Sequence, residues 1–194
     1  MPRITRESLM TLEAYAKARK EFRARVLEHK KPRNVQLGAH LTLLFEDELT
    51  IRYQIQEMLR IEKTFDEAGI QDELNAYIPL VPDGHNWKPT LLVEYEDVDE
   101  RKAALARLKG IEDRVWVQVE GAARVYAIAD EDLERENETK TSSVHFLHFP
   151  FSAAAIAAFR TPGTQVMLGV AHPHYGHIAV LPEATRALLA QDFD

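Results

Sequence analysis

The chain has 194 residues, 45% of them hydrophobic and 28% charged, with a net charge of −7 and no cysteine. This composition excludes global disorder and supplies enough apolar side chain for a core that needs no disulfide staples. The absence of cysteine also excludes a thiol nucleophile and any Cys-ligated zinc or iron–sulfur cluster within the chain, so a metal site would have to use His, Asp, Glu or Tyr.

The predicted elements follow in chain order. Residues 5–8 offer several helix N-cap side chains. Leu9, Leu12, Tyr15, Phe22 and Val26 then recur at a helical period up to about Lys31, with Pro32 as the stop. This helix is expected to pack through Leu9, Leu12, Phe22 and Val26 and to turn its lysines and arginines outward. Residues 35–37 read as a short extended piece before Gly38. Leu41, Leu44, Phe45 and Leu49 keep a helical spacing, although 41–45 also fits a strand. Residues 48–65 give the clearest helix, with Ile51, Ile55, Met58, Leu59 and Ile61 on one apolar face. A second helix covers 66–77, and Pro79, Pro82, Asp83-Gly84 and Pro89 mark a loop.

From residue 90 the period changes. Residues 90–96 alternate as a strand, 97–109 form a helix closed by Gly110, and 114–120 and 124–129 are two strands around Gly121. Residues 130–140 are polar and acidic. A strand over 142–149 and an Ala-rich helix over 152–160 follow. Residues 165–171 and 177–181 flank His172-Pro-His-Tyr-Gly as a hairpin, and Pro182 opens a last helix from 183 to about 191. The expectation is an α+β fold in one domain, 1–194. A mainly helical part, 1–89, packs on a sheet part, 90–194, with a mainly antiparallel sheet of about six strands.

Charge is unevenly distributed. Residues 1–33 carry ten Lys/Arg against four Asp/Glu, and the rest carries fourteen against twenty-seven. The acidic body repels phosphate and argues against nucleic acid as a partner. The basic arm suits an acidic partner, the chain's own body, or plain solvation as a helix face. Residues 1–20 lack an apolar signal core, and the mostly apolar stretch 144–159 is broken by His, Pro and Ser. The protein is expected to be cytoplasmic, with no membrane association.

No GxGxxG, P-loop, HExxH or GxSxG motif is present. Three groups remain as candidates for chemistry. Tyr53, Gln56, Glu57 and Arg60 share one helix face and could hold a ligand, or could be a solvated stripe with a Glu57–Arg60 ion pair. Five of the eight histidines lie at His145, His148, His172, His174 and His177, and imidazole suits Fe, Mn or Zn. His145 and His172 are the candidate metal ligands, with Glu57 supplying oxygen and Tyr175 facing inward beside them. Satisfied structural histidines are the alternative. Glu94 and Glu96, alternating along one strand, are compatible with paired acid and base or with the solvent side of a sheet.

Several stretches together resemble a known family: Val35-Gln-Leu-Gly, Leu41-Thr-Leu-Leu-Phe-Glu, Tyr53-Gln-Ile-Gln-Glu-Met-Leu-Arg-Ile-Glu, Glu73-Leu-Asn-Ala-Tyr, Thr141-Ser-Ser-Val-His-Phe-Leu-His-Phe and Gly169-Val-Ala-His-Pro-His-Tyr. In this order they resemble the bacterial family catalogued as domain of unknown function 3501. The resemblance implies one family domain over nearly the whole chain and carries no established catalytic residues. It also implies a place near redox or oxidative-stress chemistry, because genes of this family often stand beside those for rubrerythrin-like di-iron proteins and iron–sulfur oxidoreductases. The expected function is thus an accessory or interaction protein of such a pathway, with a protein partner from one of those systems, a small ligand, or a second copy in a homo-oligomer. The alternative is a metal-dependent enzyme with a His/Glu site.

Overall fold

A computed structural model describes residues 4–129 and 140–194; the acidic stretch expected at 130–140 lies, apart from Lys140, outside the described residues. Helix α1 (Leu12–Lys30) starts at Leu12 because the Thr11 hydroxyl caps it, accepting from the Ala14 amide at 3.2 Å. It buries Tyr15, Phe22 and Val26, while Leu9 is buried in the turn ahead of it. Pro32 sits in a single 3₁₀ turn, Lys31–Arg33, that ends the arm.

Strands β1 (Asn34–Gln36) and β2 (Leu41–Phe45) form a hairpin. All five residues of β2 are buried. A strand covered on both faces does not alternate, which is why its apolar spacing also fitted a helix. Helix α2 (Glu48–Glu62) opens on a capping box, in which the Asp47 carboxylate accepts from the Thr50 amide and the Thr50 hydroxyl from the Asp47 amide. It stops at Lys63, a left-handed residue with φ 57°. Ile51, Ile55 and Leu59 pack against α3 (Glu67–Tyr77) and against Ile4 and Leu9. Ile61, expected on this face, is exposed. Gln56 takes a buried place instead, clasping the Met10 backbone by two hydrogen bonds of 2.7 and 3.3 Å.

Beyond β3 (Asn86–Trp87) and β4 (Pro89–Val93) come α4 (Val98–Arg107), β5 (Val115–Val119), β6 (Val125–Tyr126) and β7 (Ile128–Ala129). The chain continues through β8 (Val144–Pro150), α5 (Ala153–Arg160), β9 (Val166–His172), β10 (Tyr175–Val180) and α6 (Glu183–Leu189). The fold is α+β. Its larger sheet has six antiparallel strands in the order β1-β2-β4-β8-β3, with β7 also on β8, and a second sheet runs β10-β9-β5-β6. Two sheets arise where one was expected because the stretch 124–129 splits at Ala127: β6 stays paired with β5 while β7 crosses to β8. The helical and sheet parts interlock, since β1 and β2 belong to the same sheet as β4 and β8.

The main core lies between these sheets and under α4 and α5. Trp87 is its hub. Its ring meets Phe45, Phe151 and Phe159 edge-on, with centroids 4.5–5.2 Å away, and stacks on Phe193 at 5.5 Å. Its indole N–H donates to the Leu189 carbonyl at 3.3 Å, so the polar end of the ring is satisfied in the core. Among the described residues no helix is long and apolar enough to cross a membrane.

On the other face of the smaller sheet, the Trp116 indole lies directly over Gly169. A Cβ at residue 169 would come within 2.2 Å of the ring. Gly169→Ala is therefore expected to destabilise the protein by about 1–3 kcal/mol through overpacking, read as a lower urea midpoint with an unchanged slope. A neutral result would mean that the indole does not lie on this backbone.

Candidate functional site

The stripe Tyr53–Glu57–Arg60 faces α1. Glu57 accepts from the Tyr15 hydroxyl at 2.6 Å, from Arg19 Nε and Nη2 at 2.7 and 2.9 Å, and from Arg60 Nη2 at 3.1 Å. Tyr53 packs on Phe22, ring centroids 6.0 Å apart, with the Lys30 ammonium over its face at 5.7 Å. The face read as a ligand stripe is thus the polar seam between two helices, and the lone pairs of Glu57 are engaged by protein donors. Arg19, foremost, with Tyr15 and Arg60, outweighs burial and pulls the Glu57 carboxyl from 4.5 to about 2.

This depressed value has a definite sign. The ionised Glu57 stabilises the fold fully above about pH 4.5, and the contribution is lost as pH falls toward 2. Glu57→Gln is expected to cost about 1.5–3 kcal/mol at neutral pH, with the gap to the wild type closing as the pH falls below 4.5. Urea melts at several pH values measure both, and a constant gap would show that Glu57 is not the titrating node.

The histidines have separate partners. His145 is buried on β8, its Nε2 3.0 Å from the Ser142 carbonyl and 3.1 Å from Thr141 Oγ1, with Glu112 Oε2 at 3.9 Å. His172 is half-buried. Its Nδ1 accepts from the His174 amide at 3.2 Å, which leaves Nε2 to donate to the Lys109 carbonyl at 3.0 Å. The Tyr175 hydroxyl donates to the Leu37 carbonyl at 2.6 Å and accepts from the His40 amide at 3.2 Å, tying the smaller sheet to the β1–β2 turn. His174 and His177 are exposed. His145, His172 and Glu57 are not brought together, and among the described residues no three His, Asp or Glu side chains converge on a point where a metal ion could sit.

Glu94 and Glu96 lie just past the end of β4 and line a shallow hollow of about 880 Å³ with His40, Tyr95 and Arg101. Glu94 accepts from the Thr42 hydroxyl at 2.5 Å, and His40 stacks on Tyr95 with centroids 3.9 Å apart.

A different constellation gathers around a buried cation, from residues that no motif in the sequence singles out. Arg33, 3% exposed, donates from Nη1 and Nη2 to the Asp192 carboxylate at 2.9 and 2.8 Å, and its Nε lies 3.1 Å from Asp47 Oδ2. The Nε contact is an ion pair without an aligned hydrogen bond. Asp47 also accepts from the Thr50 amide and lies 2.5 Å from His29 Nε2. Burial works against the charge on Asp47, but Arg33, the Thr50 amide and His29 prevail and hold its pKa below the usual range. For Asp192 the balance tips the other way, burial and the Asp47 charge raising its pKa against the pull of Arg33. Two neighbouring carboxylates are thereby pushed in opposite directions, a feature common at functional sites.

Asp47 and Asp192 form part of the wall of a cleft of about 750 Å³, with Glu48, Arg52, Asp83, Lys88 and Asp194. Gly84 admits Asp194. Its φ is +90°, and a Cβ there would lie 2.3 Å from Asp194 Oδ2. Arg160 Nη2 donates to the carbonyls of Phe193 and Asp194, at 2.7 Å each, and fixes this segment. Both cations of the wall are already bound, Arg52 to Glu48 and Lys88 to the Pro79 carbonyl. The lining therefore holds five carboxylates and two cations; Asp47 and Asp192 are paired with Arg33 and Glu48 with Arg52, which leaves the side chains of Asp83 and Asp194 with no cation partner among the described residues. One signal for this site stood in the sequence, Asp47 as the N-cap of the clearest helix. The pairing of Arg33 with a residue 159 positions away did not.

Arg33→Met should expose the dependence of the cleft on its buried cation. Removing one member of a buried ion cluster costs about 3–5 kcal/mol. The loss should be largest at neutral pH and shrink in mild acid, where Asp192, whose pKa burial already raises, protonates. Chemical denaturation across pH tests this, and a deficit independent of pH would refute it.

A family described as "Protein of unknown function (DUF3501)" matches residues 3–193. No curated protein matches. Among solved structures, a novel protein of unknown function from Burkholderia pseudomallei K96243 is similar at 58% identity and a TM-score of 0.93, with 100% of both chains covered.

Proposed function

We propose, from the premise that this chain belongs to the DUF3501 family of proteins of unknown function, that it is an accessory protein acting by contact, which holds a Lys- or Arg-bearing segment of a protein partner in the cleft between Asp47, Asp83 and Asp194. The observation that carries this reading is the excess of carboxylates in the lining, five against two cations, with the side chains of Asp83 and Asp194 paired to no cation among the described residues. A cation entering the cleft meets a preorganised negative wall at the cost of few new side-chain arrangements, because Arg33 and Arg160 already hold two of its sides. The pathway we assign is the redox or oxidative-stress chemistry that the family resemblance implies, with a rubrerythrin or iron–sulfur oxidoreductase system as the source of the partner. A cysteine-free chain suits the part of attendant to such a centre and a reducing, cytoplasmic setting.

Calorimetric titration with a short Lys-rich peptide and with a Glu-rich control tests the cleft. Binding is expected for the first alone and should weaken with added salt. The double variant Glu48→Gln/Asp83→Asn should weaken it at least about fivefold, roughly 1 kcal/mol, with an unchanged melting temperature. Equal affinity for both peptides, or no effect of the double variant, would overturn the assignment.

A further inference from the structure

We infer that β10 is a self-association edge, at which Tyr175–Val180 pairs antiparallel with the same strand of a second copy about a two-fold axis and joins the two four-stranded sheets into one. The inference stands apart from the cleft.

Strand β10 ends its sheet. It pairs with β9 over six residues, from Tyr175↔His172 to Val180↔Met167, and among the described residues its backbone makes no hydrogen bond to any other segment. Other strands at sheet margins are blunted by shortness, with three residues in β1, two in β3 and two in β6. Strand β10 is twice as long as any of these and carries neither a charged residue nor a proline between Tyr175 and Val180, the usual guards of an open edge. Its outer face is apolar and uncovered, with Ile178 55% and Val180 53% exposed. The register continues that face across the sheet, where Ile178 stands beside Gly169, Gly169 beside Trp116, and Trp116 beside Tyr126.

Geometry and charge select the occupant. A row of unpaired N–H and C=O groups is completed by another strand. Two copies of a chain with a net charge of −7 repel overall, so they meet most easily where a stretch without formal charge adds no like-charge contact. The segment Tyr175–Val180 is such a stretch. A two-fold axis perpendicular to the sheet keeps the outer faces on one side. Centred on Ile178, it sets Ile178 against its own copy and Val180 against Gly176, so apolar side chains meet and no like charges oppose each other.

Sedimentation equilibrium of the full chain tests the edge. The wild type should show a concentration-dependent mass rising to twice 22.2 kDa. Ile178→Lys, which brings two lysines together on the axis, should weaken association at least about tenfold. Val98→Lys, at an exposed residue of α4, should leave it unchanged. Hydrogen exchange of the wild-type amides of Gly176, Ile178 and Val180, which face the open edge, should slow as protein concentration rises, a readout that does not depend on how any variant folds. A wild type that stays at 22.2 kDa at every concentration overturns the inference, as does exchange at Gly176, Ile178 and Val180 that ignores concentration. A folded Ile178→Lys variant with undiminished association overturns it as well.

Discussion

The buried guanidinium of Arg33 is the constraint around which the rest is arranged. Taking a charge out of water costs several kcal/mol, and the cost is offset only when its partners are fixed and close. Here the partners come from separate parts of the chain: Asp47 caps the helix that follows β2, and Asp192 follows the last helix. The end of the basic arm, the start of α2 and the segment after α6 are thereby bound to one point. Each of the three also borders the cleft or supports it. Helix α2 could keep its cap without Arg33, and the aromatic core around Trp87 could hold the C-terminal segment in place. The ion cluster sets how these two units meet.

The same logic explains where the basic arm went. Its excess positive charge is distributed along the body: Arg6 pairs with Glu67, Arg19 with Glu57, and Arg33 with Asp47 and Asp192. These contacts differ in kind. The Arg6–Glu67 pair is exposed and salt-screened, and adds little stability. The Arg19–Glu57 pair shares its carboxylate with Tyr15 and Arg60 at a helix seam, where geometry replaces hydration. Lys17 and Lys20 of α1 are exposed, so the helix presents a basic outer face over a polar inner seam.

What could be read in the sequence follows from range. The period of 48–65, the Pro and Gly stops and the hairpin around Pro173 are local signals, and the elements they announce are present as α2, the ends of α1 and α5, and β9–β10. Strand β2 was ambiguous because a strand buried on both faces has no alternation to read. The split at Ala127 was invisible because β6 and β7 are two residues each, too short for a period, and their partners lie in different sheets. At the candidate site, Glu57 stood out by its place opposite an apolar stripe, but its partners Tyr15 and Arg19 come from another helix. In the sequence Tyr15 is one apolar position of a helical period and Arg19 one of many basic residues, although they lie four residues apart on one face of α1. Arg33 and Asp192 carry no local mark at all. Each is an ordinary charged residue until the fold puts them together.

The two surfaces proposed for contact differ in the physics that would govern them, and that difference separates them. The cleft near Asp83 and Asp194 attracts through charge, which salt screens over about 8–10 Å at ordinary ionic strength. The β10 edge joins two acidic bodies through uncharged side chains and backbone hydrogen bonds, while the bodies themselves repel. Added salt therefore acts in opposite directions, loosening a cation in the cleft and easing the approach of two copies at the edge. A chain with this charge pattern needs both kinds of surface if it is to bind a basic partner as a dimer. An acidic patch at the edge would drive copies apart, and a neutral cleft would give a lysine or arginine little reason to leave water. The separation also leaves the cleft free in a dimer, because its walls come from residues 47–52, 78–88 and 192–194 and none from β10.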